Sequence, residues 1–426
     1  MSVKDKIKVS METIAFQNGD FFKALIKEIQ LIKDQSTNEK LSLEKTGELI
    51  AKSKISSIVR EYTNLNIELV VIDVLAYSAG VIVPVELDKN HPFFDDYKEG
   101  MIQGKDGIKL IKKHKEPLKA GIDLNTGKVY GHYSKVKSYL YLYSIMFSDP
   151  HIFADELAAI ILHEIGHIFS YLEFVSCTFK TNVLLRNAVT EFLKTDDYKQ
   201  REIVLDVFND VANTNVVLTE TLLKSKSEKQ VQTILLSATI DAKRSELGNP
   251  VYDQRTFEQL ADEYATKQGA GLALAKIFVI YGDKVTSRSK QYFTIAVTGT
   301  FTLLGLVFLL PIFVCLTFVL MVISDPNNKI YDDPNERLEN IKKQLIGALK
   351  DKSIPANRSK QIVLEIKTIE NLLKEYHSNE NFYTMLWKLS SSRRSIKNDI
   401  DFQKRLEGLS SNNLYVLSSQ FKTLKV

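Results

Sequence analysis

The sequence has little sulfur to work with: two cysteines in 426 residues, Cys177 and Cys315, far apart and the second inside an apolar run. A disulfide framework is thereby excluded, and a reducing compartment suits the chain. An excess of charge of one sign is lacking too. With 56 basic against 52 acidic residues and a formal net charge of +4, and with no one-sided basic stripe on any helix or loop, a nucleic-acid partner is not expected. Internal repeats and low-complexity tracts are absent, which argues against repeat architectures. The stretch Met1-Ser2-Val3-Lys4-Asp5-Lys6-Ile7-Lys8 is charged and has no apolar core of signal-peptide length, so export by a cleaved signal is not expected.

What is present is an ordinary folded composition, 44% hydrophobic and 25% charged, in a chain long enough for two or three domains. Periodicity divides it. Phe21, Phe22, Leu25, Ile26, Ile29, Leu31 and Ile32 recur at helical spacing among lysines and glutamates, and a second helix is expected over 43–62, so residues 1–63 read as a helical cap. From Asn64 the character changes to β-branched runs at 67–72 and 80–85, the signature of small strands. A turn signal inside 121–130 predicts a hairpin. In 136–147 the alternation sets Tyr139, Tyr141 and Tyr143 on one face and Leu140 and Leu142 on the other, predicting a strand that leads into the next helix and could receive an extended peptide along its edge. Helical patterning returns from about 172 to 245. The expected fold is α+β, mostly helical, with a small sheet beside one long apolar helix.

That helix carries the chemistry. Ser148-Asp149-Pro150 offers a start, and Asp155 through Phe169 follows as a largely apolar run interrupted by His163, Glu164 and His167. Histidines at i and i+4 lie one turn apart on one face, where both imidazoles reach a single ion, and the intervening glutamate sits beside the open coordination position. Chance would place these three residues at this spacing somewhere in such a chain on the order of one per cent of the time. Gly166 in mid-helix costs roughly 1 kcal/mol relative to alanine, which makes sense if another backbone approaches there.

A third ligand is expected from a second helix. Glu258-Gln259-Leu260-Ala261-Asp262 is the best candidate, on a helix that Asp253 could cap and Gly269 could end. Its two acids at i and i+4 repel by a few tenths of a kcal/mol unless something cationic faces them. A zinc ion held by His163, His167 and Glu258 would do so, with Asp262 accepting the spare ring hydrogen of a ligating histidine. Three protein ligands leave a fourth position for water, and Glu164 is placed to take its proton.

These residues carry a resemblance. The run from Asp155 through His167, with the pentad from Glu258 to Asp262, resembles the membrane-associated gluzincin peptidases, the family of the heat-shock protease HtpX and the CAAX prenyl endopeptidase. The resemblance covers roughly residues 64–345 and implies a zincin-like catalytic domain over 64–290, one zinc ion, peptide or protein substrates, and the roles just given for His163, His167, Glu258, Glu164 and Asp262. A further family element, a proline and an arginine opening a late helix, is matched loosely by Asp333-Pro334-Asn335-Glu336-Arg337-Leu338. Arg337 is therefore a candidate transition-state or structural contact. Asp333 stands where the family often has a histidine, so no transition-state donor is expected from that position.

Between Lys290 and Asp325 no charged residue occurs, and about 20 apolar residues suffice to cross a bilayer core as a helix. Residues 291–324 are expected to embed in lipid, as a single kinked span or a re-entrant hairpin turning near Gly305 to Pro311. Basic residues flank both ends, so the positive-inside bias is nearly silent; the catalytic domain is expected on the cytoplasmic side. Residues 325–426 read as a helical region whose start completes the catalytic domain if Arg337 joins the site. The rival expectation is a membrane scaffold that keeps zinc for stability, with His132 or His151 closing the fourth position.

Overall fold

A computed structural model of the chain describes residues 14–38, 41–74, 79–82, 107–113, 120–212, 214–217, 219–247, 254–285, 334–349 and 354–378. Three helices open it, α1 (Asp20–Asn38), α2 (Leu43–Lys52) and α3 (Ile55–Thr63), before strands β1 (Asn66–Ile72) and β2 (Ala79–Ile82) and helix α4 (Gly107–Lys113). A hairpin of β3 (Gly121–Ile122) and β4 (Val129–Tyr130) leads to β5 (Lys137–Tyr143) and a short helix α5 (Ser144–Ser148). Helix α6 (Ala154–Leu193) is followed by α7 (Tyr198–Ala212), α8 (Glu220–Lys224) and α9 (Glu228–Leu247). Then come α10 (Gln254–Ala265), α11 (Gly271–Val285), α12 (Pro334–Ala348) and α13 (Ala356–Ser378). The architecture is α+β and mostly helical.

The three-stranded sheet runs β1-β5-β2, with β1 parallel and β2 antiparallel to β5. Alternation along β5 buries Ser138, Leu140 and Leu142 and leaves Tyr139, Tyr141 and Tyr143 half-buried on the other face, as period-two patterning requires. The expectation that β5 offers an edge to a peptide is corrected. Both its edges are hydrogen-bonded to neighbours, and the strand lying against α6 on the outside of the sheet is β2.

The hairpin turns as its sequence demands: the Asp123 carboxylate accepts from the Asn125 N–H at 2.9 Å and from the Thr126 hydroxyl at 2.8 Å, and Gly127 takes a φ of +68°. The strand does not run on into the motif helix. Ser144, hydrogen-bonded to Asp73, opens α5, and Asp149 accepts the His151 N–H at 2.8 Å to form a turn. Helix α6 therefore starts at Ala154, not at Ser148, and the Glu156 carboxylate accepts the Phe153 N–H at 2.9 Å. From α1, the Lys33 ammonium donates to the carbonyls of Phe147 and Asp149 at 3.0 and 2.8 Å and pins this turn.

Helix α6 serves two cores. Its first half joins Leu25, Ile29, Val59 and Leu140 with Leu260, Leu274, Leu338, Ile341 and Ile369, so α1 to α3, the sheet and α10 to α13 share one interior with it. Its second half, with Leu185, Val189 and Phe192, packs on Val204, Phe208, Leu222 and Leu235 of α7 to α9. Gly269 does not end the ligand-bearing helix. With φ at +92° it kinks a π turn over Thr266–Ala270, and the chain resumes as α11 because Ala270, Ala273 and Leu274 face the same core. Residues 14–19 lie on that kink: the Gln17 N–H donates to Lys267 O at 2.9 Å, and a Cβ on Gly269 would sit 3.3 Å from the Gly19 Cα.

No helix among the described residues is long and apolar enough to cross a membrane. The run 291–324 on which the membrane expectation rests lies outside the described residues, as do Asp253, Asp333, Cys315 and the chain beyond Ser378.

Gly166 confirms the close approach that its position implied, since a Cβ there would lie 2.7 Å from the Ala261 Cα and 3.0 Å from the Ala261 carbonyl oxygen. Alanine gains about 1 kcal/mol of helix propensity but must push two backbones apart, and overpacking of this kind costs about 1 to 3 kcal/mol. The clash is with backbone, so overpacking wins. Gly166→Ala is expected to lower the urea midpoint by separating α6 from α10. A variant as stable as wild type would show that the helices do not touch here.

Candidate metal centre

The site forms where α6 and α10 cross at closest approach. His163 and His167, one turn apart on α6, face Glu258 and Asp262, one turn apart on α10. The His163 Nε2 lies 3.1 Å from the His167 Nε2 and 3.3 Å from Glu258 Oε2, while the His167 Nε2 lies 3.4 Å from Glu258 Oε1. The three side chains form a group able to hold a metal ion, all ligand atoms within 4.8 Å of one another.

The spacing can be tested against an ion. Nitrogen and oxygen ligands about 2.0 to 2.1 Å from a tetrahedral centre stand about 3.3 to 3.4 Å apart. The observed separations of 3.1 to 3.4 Å lie close to those edges, although His163 and His167 face different oxygens of Glu258. Glu258 Oε2 is buried, with the His163 ring and the Arg337 guanidinium as its polar neighbours, and a carboxylate taken out of water needs positive charge beside it. Neither histidine that might have closed the site belongs to the group: His132 packs edge-on against Tyr133, and His151 is exposed in the turn before α6.

Asp262 organises what lies behind the ligands. Its Oδ1 is 2.8 Å from the His163 Nδ1, the arrangement that fixes a ligating imidazole's orientation and leaves its Nε2 for an ion. Arg337 donates to the same carboxylate twice, Nε to Oδ2 at 2.8 Å and a terminal nitrogen to Oδ1 at 2.5 Å. The guanidinium rests over the Phe278 ring, 3.7 Å from its centroid, and reaches to 3.6 Å from Glu258 Oε2. Arg337 is thus a buried structural contact, the second of the two roles its sequence position suggested.

Electrostatics follow from this burial. Desolvation would raise the Asp262 carboxyl, but the Arg337 charge and the His163 hydrogen bond outweigh it and hold the group at about 2. Burial opposes a proton on His163; its hydrogen bonds to Asp262 and Glu258 prevail and push the ring up to about 9. His167, desolvated and beside a charged His163, falls to about 4. The pocket therefore favours one positive charge between its carboxylates, which a proton or a metal ion can supply. Burial raises the Glu164 carboxyl above the usual range, against the pull of His163 and a hydrogen bond from the Val81 N–H of β2.

All six residues singled out in the sequence are present at one locus, with Glu164 on the same helix between the two histidines. Two participants carried no signal. Phe278 sits in an apolar stretch of α11 that reads as core, and Val81 acts through its backbone.

No protein-family model, no curated protein and no solved structure matches the chain.

Removing Arg337 would leave the Asp262 charge buried without its strongest partner, a change that costs about 3 to 5 kcal/mol. Arg337→Ala should lose stability on that scale in urea unfolding, and the Arg337→Ala/Asp262→Ala pair should lose less than the sum of the singles. Additive losses would dissolve the pairing.

In metal titration, Glu258→Ala should abolish tight binding, whereas Asp262→Ala should weaken it 10 to 100-fold, in the manner of an orienting partner. Unchanged affinity in Glu258→Ala would move the third ligand elsewhere.

Proposed function

We propose that the chain is a membrane-anchored zinc-dependent endopeptidase with a zincin-like catalytic domain, akin to the gluzincins its motifs resemble. The observation that carries this reading is the convergence of His163, His167 and Glu258 at ligand spacing, with a general base on the next position of the same helix. His163 and His167 would bind through Nε2 and Glu258 through its carboxylate, and zinc so held would lower the pKa of a bound water to about 7 and polarise the scissile carbonyl.

The chain's own groups supply the rest. Glu164 takes the proton from the attacking water and passes it to the leaving amine, and burial has already raised its carboxyl for the task. Asp262 keeps the His163 ring turned toward the ion, and Arg337, seated on Phe278, keeps Asp262 ionised and in place. Since the Val81 N–H bonds to Glu164, β2 lies beside the site, and its free edge is the one away from β5. An extended peptide aligned on that edge would meet the base and the metal together, recognised mainly through its backbone.

A zinc site kept for structure would have four protein ligands. Among the described residues the group has three and includes neither His132 nor His151, as a catalytic site with water in the fourth position would. Anchoring to a membrane, with the catalytic body on the cytoplasmic side, rests on the uncharged run between Lys290 and Asp325.

Purified wild type should contain one zinc per chain and cleave a casein-type substrate. Glu164→Gln should keep the zinc and lose hydrolysis, because glutamine preserves shape and cannot accept a proton. Retained hydrolysis in Glu164→Gln, or a wild type that binds no zinc, would end the peptidase reading.

A further inference from the structure

We propose that residues 14–19 form a strap that latches the π turn at Thr266–Ala270 onto the β3–β4 hairpin and so positions the ligand-bearing helix α10, with Gln17 and Thr266 as its positioning residues. The inference rests on the metal-site reading above and adds what holds that site in register.

The kink lies next to the ligands and has a local cause. The Thr266 hydroxyl donates to the Asp262 carbonyl at 2.7 Å, a back-bond of the kind that bends helices, and Gly269 turns left-handed three residues later. A π turn departs from the regular i−4 ladder, which opens its carbonyls to donors from outside the helix. The Lys267 carbonyl accepts such a donor, the Gln17 N–H at 2.9 Å. A shift of the turn therefore reaches the Asp262 backbone through one hydroxyl, and the Asp262 side chain is the one that orients His163.

The strap is composed to be covered. Ile14-Ala15-Phe16-Gln17-Asn18-Gly19 carries no charge, and Ile14 and Gly19 are buried. The Phe16 ring centre lies 5.8 Å from the Lys267 ammonium, which is buried in turn and 3.2 Å from Glu263. Phe16 thus packs on a charged pair whose acid is the sequence neighbour of Asp262. Contact with the kink is close enough that glycine faces glycine, Gly19 against Gly269.

The other side of the strap is tied to the hairpin. The Ala15 N–H donates to Leu124 O at 2.8 Å, and the Gln17 side-chain amide donates to Asn125 O at 2.9 Å and to Ala15 O at 2.8 Å. Gln17 holds both anchors at once, its main chain on the kink and its side chain on the hairpin turn. That turn also reaches the kink directly, since a Cβ on Gly127 would lie 3.5 Å from the Gln268 Nε2. Displacing the strap is thereby a way to alter metal binding without touching a ligand.

The test uses the full-length protein with Co²⁺ as the probe, whose visible absorption reports coordination geometry while its titration gives affinity. Gln17→Ala and Thr266→Val should each weaken Co²⁺ binding about two- to tenfold, the range that one lost hydrogen bond opens, and should change the absorption of the bound ion. Thr266→Ser keeps the hydroxyl and should recover the wild-type spectrum. Ser56→Ala, which removes a hydrogen bond to Ile67 O between α3 and β1, is the control for general loss of stability and should bind as wild type does. Wild-type affinity and spectra in both Gln17→Ala and Thr266→Val would overturn the proposal, as would equal weakening in Ser56→Ala. Amide exchange of the metal-free protein gives a second reading: Gln17→Ala should speed exchange over 262–271 more than over 55–63, and unchanged exchange there would overturn the latch by itself. A wild type that binds no Co²⁺ but shows this exchange difference would sink only the metal-site reading.

Discussion

The buried carboxylate of Asp262 is the contact on which the site depends. It stands on α10, orients His163 of α6, and holds Arg337 of α12 by two hydrogen bonds. A charge taken out of water is tolerated only with partners, so this one acid dictates where three helices meet. The same pairing explains why a segment beyond an uncharged run of the chain packs into the body that holds the site. Without α12, Asp262 would lack the partner that balances its burial.

Much of the candidate site was legible because holding a metal ion would impose spacing on sequence. His163 and His167 at i and i+4 predict a shared face, and Glu258 with Asp262 predicts a cationic visitor, since two acids one turn apart repel. The visitor proves to be partly intrinsic: the Arg337 guanidinium, bonded to Asp262 and 3.6 Å from Glu258, sits where charge was demanded. Gly166 was legible as well, for a glycine inside an apolar helix has few reasons to exist except proximity, and the Ala261 backbone supplies one.

What escaped the sequence depended on long-range choices. Alternation in β5 announced a strand but not its place in the sheet, because Tyr139 and Leu140 alternate in the same way at an edge or in the centre; pairing with β1 and β2 decided it. Gly269 read as a stop, yet the apolar face on either side of it continues, so the chain kinks through a π turn and keeps packing. Phe278 looked like any core residue. Its second use, as a shelf for a guanidinium, arises only once α12 has folded back. Asp149 read as a helix cap and instead shapes the turn before the helix, held there by Lys33 from α1.

Helix α6 is forty residues long and is a wall of both hydrophobic interiors. At 1.5 Å per residue it is a rod of about 60 Å, and a rod shared by two interiors ties their melting together. Loosening α7 to α9 would strip support from the half of the rod beyond Leu184, and fraying there would travel toward His167 along an unbroken ladder of backbone bonds. Amide protons around His163 and around Phe192 should then exchange as one unit rather than two. A helical region with no chemistry of its own thereby acts as ballast for the end that has it.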